Sequence, residues 1–258
     1  MLLEFKNLSF SYPCNQKATL TDFSLKIKLG QKIAIIGHNG CGKTTLLHLA
    51  NGLYQPNEGH ISLGEQQLQY DRNSLNQWRQ KVGLVFQNPE QQLVATTVEE
   101  DLSYGLCNLG LPTEEIATRV KECLLQFNFA DLAHFPVNYL SLGQKKRLAI
   151  ADVMILEPEL LLLDEPTAFL DPKQIKDLNQ QLSQIQQKGT TIILTSHNLD
   201  FVYQWADWIY VINQGELVAQ GSPTDVFSQE ELLTSVQLGI PTALEIIKQF
   251  QGGRTPDS

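Results

Sequence analysis

Eight consecutive residues carry the clearest chemistry in this chain: Gly37, His38, Asn39, Gly40, Cys41, Gly42, Lys43 and Thr44 fit G-x-x-x-x-G-K-[ST]. Glycines at such spacing let backbone N–H groups turn inward around phosphate oxygens. Lys43 sets a point charge against the β and γ groups, the Thr44 hydroxyl can ligate Mg²⁺, and Thr45 carries the contact into the following helix. The ligand read from it is ATP, with Mg²⁺ arriving beside it, although by itself the loop would also fit a kinase or a GTPase.

A second signal lies at Leu160 to Leu163, a short apolar run that ends in Asp164 and Glu165. Ligands of open α/β sheets gather at the C-terminal ends of strands. There Asp164 would hold Mg²⁺, through water, and Glu165 would polarise an attacking water. Alone, two acids before Pro166 would read as a turn cap; paired with a phosphate loop they read as catalytic. His197 follows the apolar run Thr191 to Thr195, where a neutral imidazole can hydrogen-bond a γ-phosphate and hold water in line. Gln87 follows Val82 to Phe86 and is either a ligand of Mg²⁺ and water or a bare loop amide. Tyr12 is either an adenine-stacking aromatic or a core residue at a strand end.

The elements that must position these residues follow from hydrophobic period. Residues 2 to 12 and 22 to 28 alternate as half-buried strands and form an antiparallel β region. Lys32 to Ile36 is a continuous β-branched run that leads into the phosphate loop and then an apolar helical stretch from Thr44 to Gly52. Val82 to Phe86 is a further strand. From about residue 91 to 156 the chain reads as a helical insert, with Thr113 capping a helix whose face is Ile116, Val120, Cys123, Leu124 and Phe127. Strand Leu160 to Leu163, helix Pro172 to Lys188 and strand Thr191 to Thr195 alternate as parallel strands require. Trp208 to Ile212 and Glu216 to Ala219, joined by Asn213, Gln214 and Gly215, form a hairpin. The expected class is α/β, with a mixed core sheet, an N-terminal antiparallel β region and an inserted helical subdomain. A single domain spans 1–245, and a partly disordered tail spans 246–258.

The formal net charge of −9 argues against binding nucleic acid or anionic lipid through the overall field. No apolar run approaches the length of a bilayer span, and the start does not resemble a signal peptide, so a cytosolic chain is expected. Cys14, Cys41, Cys107 and Cys123 form no C-x-x-C pair and read as free thiols. The five histidines lack the spacing of a zinc site.

With Leu140, Ser141, Leu142, Gly143 and Gln144 between them, these motifs resemble the nucleotide-binding subunit of an ABC transporter over nearly the whole chain. The resemblance assigns Tyr12 to the adenine-stacking aromatic, Gly37 to Thr44 to Walker A and Gln87 to the Q-loop. It assigns Leu140 to Gln144 to the signature, Leu160 to Glu165 to Walker B, Ala168 to Asp171 to the D-loop and His197 to the switch histidine. It further implies that Ser141, Gly143, Gln144 and Asp171 touch nucleotide across a pair of ATPase chains, as a homodimer or a heterodimer. Gln87 to Gly105 and the Asn108 to Pro112 segment are similar to energy-coupling-factor (ECF) ATPases, nearest the cobalt and nickel branch. That branch implies an integral membrane coupling subunit, a substrate-capturing membrane subunit and a peripheral place on the cytoplasmic face of the membrane. The helical insert with the Gln87 loop is the expected docking surface. A vitamin importer and a soluble assembly-factor ATPase are the alternatives.

Two positions depart from the family pattern. Leu142 stands where the signature usually has glycine, and is strained if that backbone needs positive φ. Cys41 stands where serine is usual; helix-terminal N–H groups and Lys43 are expected to lower its pKa and make it alkylable, with protection by Mg-ATP.

Overall fold

The computed structural model describes residues 2–13 and 17–252, with side chains described to residue 247. The chain divides into two compact units, the first made of Met1–Leu46, Gln55–Gln67 and Leu194–Ser258, the second of Leu47–Tyr54 and Leu68–Ile193.

In the first unit, β1 (Leu3–Phe10) pairs antiparallel with β2 (Leu20–Ile27) and with β4 (Glu58–Leu63), which pairs with the short β5 (Gln66–Gln67). Leu3, Phe5, Leu8 and Phe10 are buried, so the inward phase slips by one residue between Phe5 and Leu8. The slip is a register shift against β2, where Asn7 and Asp22 both adopt positive φ and the Asn7 amide donates to the Asp22 carboxylate at 2.6 Å. Such short polar side chains tolerate the left-handed region through local hydrogen bonds. Parallel strands β3 (Lys32–Ile36) and β9 (Trp208–Asn213) align Ile33 with Trp208 and Ile36 with Val211. The antiparallel β10 (Glu216–Gly221) returns through Gln214 at φ 48° and Gly215 at φ 82°. Two left-handed turn residues match the twist of a tight hairpin.

After β8 (Thr191–Thr195), the chain runs through α7 (Leu199–Trp205), the hairpin, α8 (Pro223–Phe227), α9 (Glu230–Ser235) and α10 (Thr242–Gly252). Thr242 N and Oγ1 each donate to the Asp200 carboxylate at 2.8 Å and fix the start of α10. Residues 246–252, read from sequence as the beginning of a tail, thus belong to this helix, and 253–258 lie outside the described residues.

In the second unit, β6 (Val82–Val85) and β7 (Leu160–Leu163) pair in parallel, Val82 to Leu160 through Val85 to Leu163, and every residue of both is buried. Burial on both faces is what turns a parallel strand into a continuous apolar run. Around them pack α2 (Arg72–Lys81), α3 (Val98–Asn108), α4 (Thr113–Gln126), α5 (Leu142–Met154) and α6 (Pro172–Gln187). Trp78 of α2 is fully buried and its indole N–H donates to the Ala50 carbonyl at 2.8 Å. That carbonyl lies in α1 (Lys43–Asn51), the helix after the phosphate loop. Thr113 does not cap α4: Pro112, at ψ 143°, occupies the cap position and Thr113 is the first helical residue. Within the first unit the strands run β10-β9-β3 in one mixed sheet and β2-β1-β4-β5 in an antiparallel one. No helix among the described residues is long and apolar enough to cross a membrane.

Candidate functional site

The first unit builds the phosphate loop. The continuous strand β3 ends at Ile36, and Gly37 must approach the β9–β10 hairpin so closely that an added Cβ would overlap the Ile212 carbonyl oxygen and stand 2.6 Å from Cys41 Sγ. Gly42 adopts φ 112°, a backbone that side chains rarely accept. Lys43, only 6% exposed, folds over this loop and donates to the carbonyl oxygens of Gly37 at 2.8 Å and His38 at 3.1 Å. The His38 ring turns its Nδ1 to the Asn39 carbonyl at 2.6 Å, and Asn39 and Gly40 are exposed. The result is a cradle of backbone N–H groups at the start of α1 with one ammonium held over it, suited to polyphosphate.

Tyr12 is placed beside this loop. Its hydroxyl and Thr45 Oγ1 share a hydrogen bond at 2.9 Å, and its ring meets Phe10 edge-on at 5.1 Å. Thr44 is exposed at the mouth of the loop while Thr45 is buried. Ser196 N donates to the Ile35 carbonyl at 3.3 Å, which sets the ends of β8 and β3 side by side. His197 therefore leaves the sheet at the same edge as Gly37, exposed, on a turn where Asn198 N donates to Ser196 Oγ at 3.1 Å.

The Cys41 expectation is overturned. The thiol is 1% exposed, and burial raises its pKa above the ordinary cysteine range although the Lys43 charge and backbone hydrogen bonds pull the other way. Desolvation of the thiolate outweighs the cation. At neutral pH iodoacetamide should modify exposed Cys107 at least about tenfold faster than Cys41, with ATP binding preserved. Peptide mass spectrometry over a labelling time course checks this, and equal rates at the two positions would refute it. Cys14 lies outside the described residues; Cys41, Cys107 and Cys123 are free thiols, as read.

The second unit gathers the carboxylates. Asp164 N donates to the Val85 carbonyl at 3.0 Å, so Asp164 and Glu165 leave β7 where Phe86 and Gln87 leave β6. Asp164 is 4% and Glu165 6% exposed, whereas Gln87 is exposed. Glu165 adopts φ 45°, a left-handed backbone that costs a non-glycine residue about 1 kcal/mol or more. Beside Asp164, the His48 ring meets Tyr54 and Phe86 edge-on at 5.2 and 5.8 Å, and burial lowers its pKa against the pull of Asp164.

The segment after Gln87 and the turn after Glu165 are tied to α5, in part through Lys145 and Lys146, which the sequence motifs do not single out. The Gln92 side chain accepts from Phe86 N at 3.3 Å and donates to the Ala149 carbonyl at 2.7 Å. Glu90 pairs with Lys145 at 2.8 Å. Lys146, 6% exposed, donates to three carbonyl oxygens, those of Glu165 at 3.2 Å, Pro166 at 3.0 Å and Ala168 at 2.8 Å. Burial pushes its pKa down to about 8, against the opposing pull of Glu165 and Asp164. The signal available in sequence was only the row of basic residues Lys145, Lys146 and Arg147.

The signature residues form the start of α5. Ser141 is its N-cap: Ser141 Oγ accepts from Gln144 N at 3.3 Å, and the Gln144 side chain accepts from Ser141 N at 2.8 Å. Leu142 is the first helical residue and is not among those at positive φ, so the anticipated strain is absent. The cap at Ser141 takes the non-helical backbone instead, and the Leu142 side chain is 38% exposed. Gly143 faces the Gln174 side chain, whose amide nitrogen would stand 2.8 Å from an added Cβ and would have to move aside. Asp171 caps α6 in a reciprocal pair with Gln174. Phe169, in the D-loop, is 85% exposed at φ 62°.

A groove of about 240 Å³ opens in the second unit between Leu84, Val94, Asp101, Tyr104 and Asp152, with Arg79 at its edge. Asp101 Oδ1 accepts from Val94 N and Ala95 N at 2.9 and 2.7 Å. Its Oδ2 and Asp152 Oδ1 are both buried, and the two carboxyl groups interact with each other. Burial, and then the charge and hydrogen bonding of Asp101, raise the Asp152 pKa well above the carboxylate range.

A family model described as ABC transporter matches residues 20–168. The chain is 56% identical over 245 residues to a protein of Nostoc sp. (strain PCC 7120) named for ABC-transporter ATP binding, covering 95% of this chain and 89% of that one. It is 40% identical over 247 residues to the energy-coupling factor transporter ATP-binding protein EcfA of Methanocaldococcus jannaschii, covering 96% and 88%. Among solved structures it is similar to cbiO1 from Clostridium perfringens, part of the ABC transporter complex cbiONQ, with TM-score 0.82 and 36% identity over 96% of this chain and 98% of that one. A dimeric ATP-binding cassette in a post-hydrolysis state bound to ADP and Pi matches with TM-score 0.77 and 27% identity, covering 86% and 99%. The phosphate loop, the paired Walker B acids and the capped signature helix thus stand in a chain that belongs to the ABC transporter family, as one of its ATP-hydrolysing subunits.

Proposed function

We propose that this subunit energises import through an ECF-type transporter of cobalt or nickel ions. It works as a homodimer or heterodimer of ATPase chains, peripheral to the cytoplasmic face of the membrane, beside an integral coupling subunit and a substrate-capturing subunit. The observation that carries the reading is likeness along nearly the full chain both to EcfA and to a component of cbiONQ.

The residues fit Mg-ATP on their own chemistry: a glycine-rich loop with Gly42 at φ 112° and the Lys43 ammonium held over it, and hard oxygen donors at Thr44, Gln87 and Asp164. Bound there, Mg²⁺ would neutralise charge on the β- and γ-phosphates. Lys43 and the loop N–H groups of His38 to Thr44 orient the triphosphate, and Tyr12 stacks on adenine. Glu165 accepts a proton from water as the water oxygen bonds the γ-phosphorus, and the bond to the β–γ bridging oxygen breaks to leave ADP, inorganic phosphate and a proton. His197 holds the γ-phosphate and the water, while Ser141, Gly143, Gln144 and Asp171 serve the nucleotide of the partner ATPase chain.

The groove with Asp101 and Asp152 belongs to the docking surface for the coupling subunit, the helical insert with the Gln87 loop. It adjoins the Gln87 loop through Gln92, which lines it. The test is fractionation of native extracts followed by uptake of radioactive cobalt and nickel in cells lacking the chain. Sedimentation with membranes, release by detergent and loss of metal uptake are expected. A soluble protein whose deletion spares uptake would favour an assembly-factor ATPase.

A further inference from the structure

We infer that Lys146 is a positioning residue for hydrolysis: it clamps the turn Glu165 to Ala168 and thereby aims the Glu165 carboxylate. The inference deepens the reading of Glu165 as the general base and rests on it. An ammonium has three protons, and Lys146 meets an acceptor for each, the carbonyl oxygens of Glu165, Pro166 and Ala168 at 3.2, 3.0 and 2.8 Å. All three belong to one turn, which Ala168 N closes by donating to the Glu165 carbonyl at 3.1 Å.

The turn needs such a clamp. Glu165 is buried at φ 45°, a conformation that persists only when its surroundings over-determine it. Phe169, one residue beyond Ala168, is again left-handed, at φ 62°. Two strained residues bracket the segment, and the cation sits between them on backbone atoms. A buried ammonium carries a desolvation cost that a neutral side chain would avoid, and here three carbonyl contacts on one turn offset it. Lys146 projects from α5, the helix that Ser141 caps. The clamp therefore ties the start of the signature helix to the base: a displacement of α5 pulls on the carbonyls that hold Glu165.

The test is a double-mutant cycle on the full chain, using single-turnover hydrolysis of radiolabelled Mg-ATP and fluorescent-nucleotide binding. Lys146→Gln is expected to lower the hydrolysis rate about 10- to 100-fold, the scale of a misplacement near 1 Å, while nucleotide affinity stays within about twofold. In an E165Q background the same change should add less than about threefold, because it acts through the group already removed. A parent-like rate for Lys146→Gln overturns the inference, as does an equal loss in both backgrounds, which a general structural defect would produce. If Lys146→Gln does not fold, Lys146→Arg carries the test. Its flat fork cannot point three protons at this turn, so a loss confined to the rate is expected and a parent rate overturns the clamp. A parent rate in E165Q alone would refute Glu165 as base, an outcome distinct from failure of the clamp.

Discussion

Replacing Glu165 by Gln should abolish turnover while leaving ATP bound. The amide keeps the shape of the side chain but cannot take a proton, so the rate should fall about 10²- to 10⁴-fold, the usual contribution of a positioned general base. Affinity should hold, because the triphosphate is bound by the loop N–H groups and Lys43, which the substitution leaves in place. Mg-ATP should then lock E165Q chains into a closed dimer, seen as a shift to twice the mass in size-exclusion chromatography with light scattering. Hydrolysis at the parent rate would remove Glu165 from the role.

Replacing Lys43 by Ala should have the opposite signature, loss of binding first. The ammonium makes charge-assisted hydrogen bonds, each worth about 1.5–3 kcal/mol when a charged partner is involved. Losing that contact to the β- and γ-phosphates should weaken ATP affinity by about 10²-fold, using 1.4 kcal/mol per tenfold. The same substitution strips the donors from the buried Gly37 and His38 carbonyls, so the loop loses its internal brace as well. Titration with a fluorescent ATP analogue measures the effect, and unchanged affinity would show that the cradle binds without its cation. Lys43→Arg should not restore binding, because the planar fork is longer and differently aimed than an ammonium.

The strands nearest the chemistry were the most legible in the sequence. Lys32 to Ile36, Leu160 to Leu163 and Thr191 to Thr195 coincide with β3, β7 and β8, because a parallel strand buried on both faces shows as an uninterrupted apolar run. Helix α2 left little trace: of its ten residues only Trp78 is buried, so no apolar stripe marks it. Strand β4 was hidden by Gly59 at φ 81°, pressed against the Asn7 carbonyl where a side chain would collide. Motif residues could be picked out from the sequence, whereas contacts made to backbone could not. The clamp at Lys146 engages carbonyls 19 to 22 residues away, and a carbonyl has no letter in the sequence. Cys41 was misread for a related reason, since proximity to Lys43 is visible in the chain but the depth of burial is not. The strain expected of Leu142 was conditional on positive φ, and the condition is not met because the Ser141 cap takes the departure from helical geometry.

The two links between the Gln87 loop and α5 differ in kind, and so in how they answer to ionic strength. Glu90 and Lys145 form an ion pair whose Glu90 side chain is 65% exposed, so mobile ions will screen it. Gln92 joins Phe86 N to the Ala149 carbonyl through a neutral amide that counterions do not weaken. A cell whose potassium concentration rises would therefore loosen the outer link and keep the inner one. The loop would gain play at Glu90 without losing its attachment to the helix.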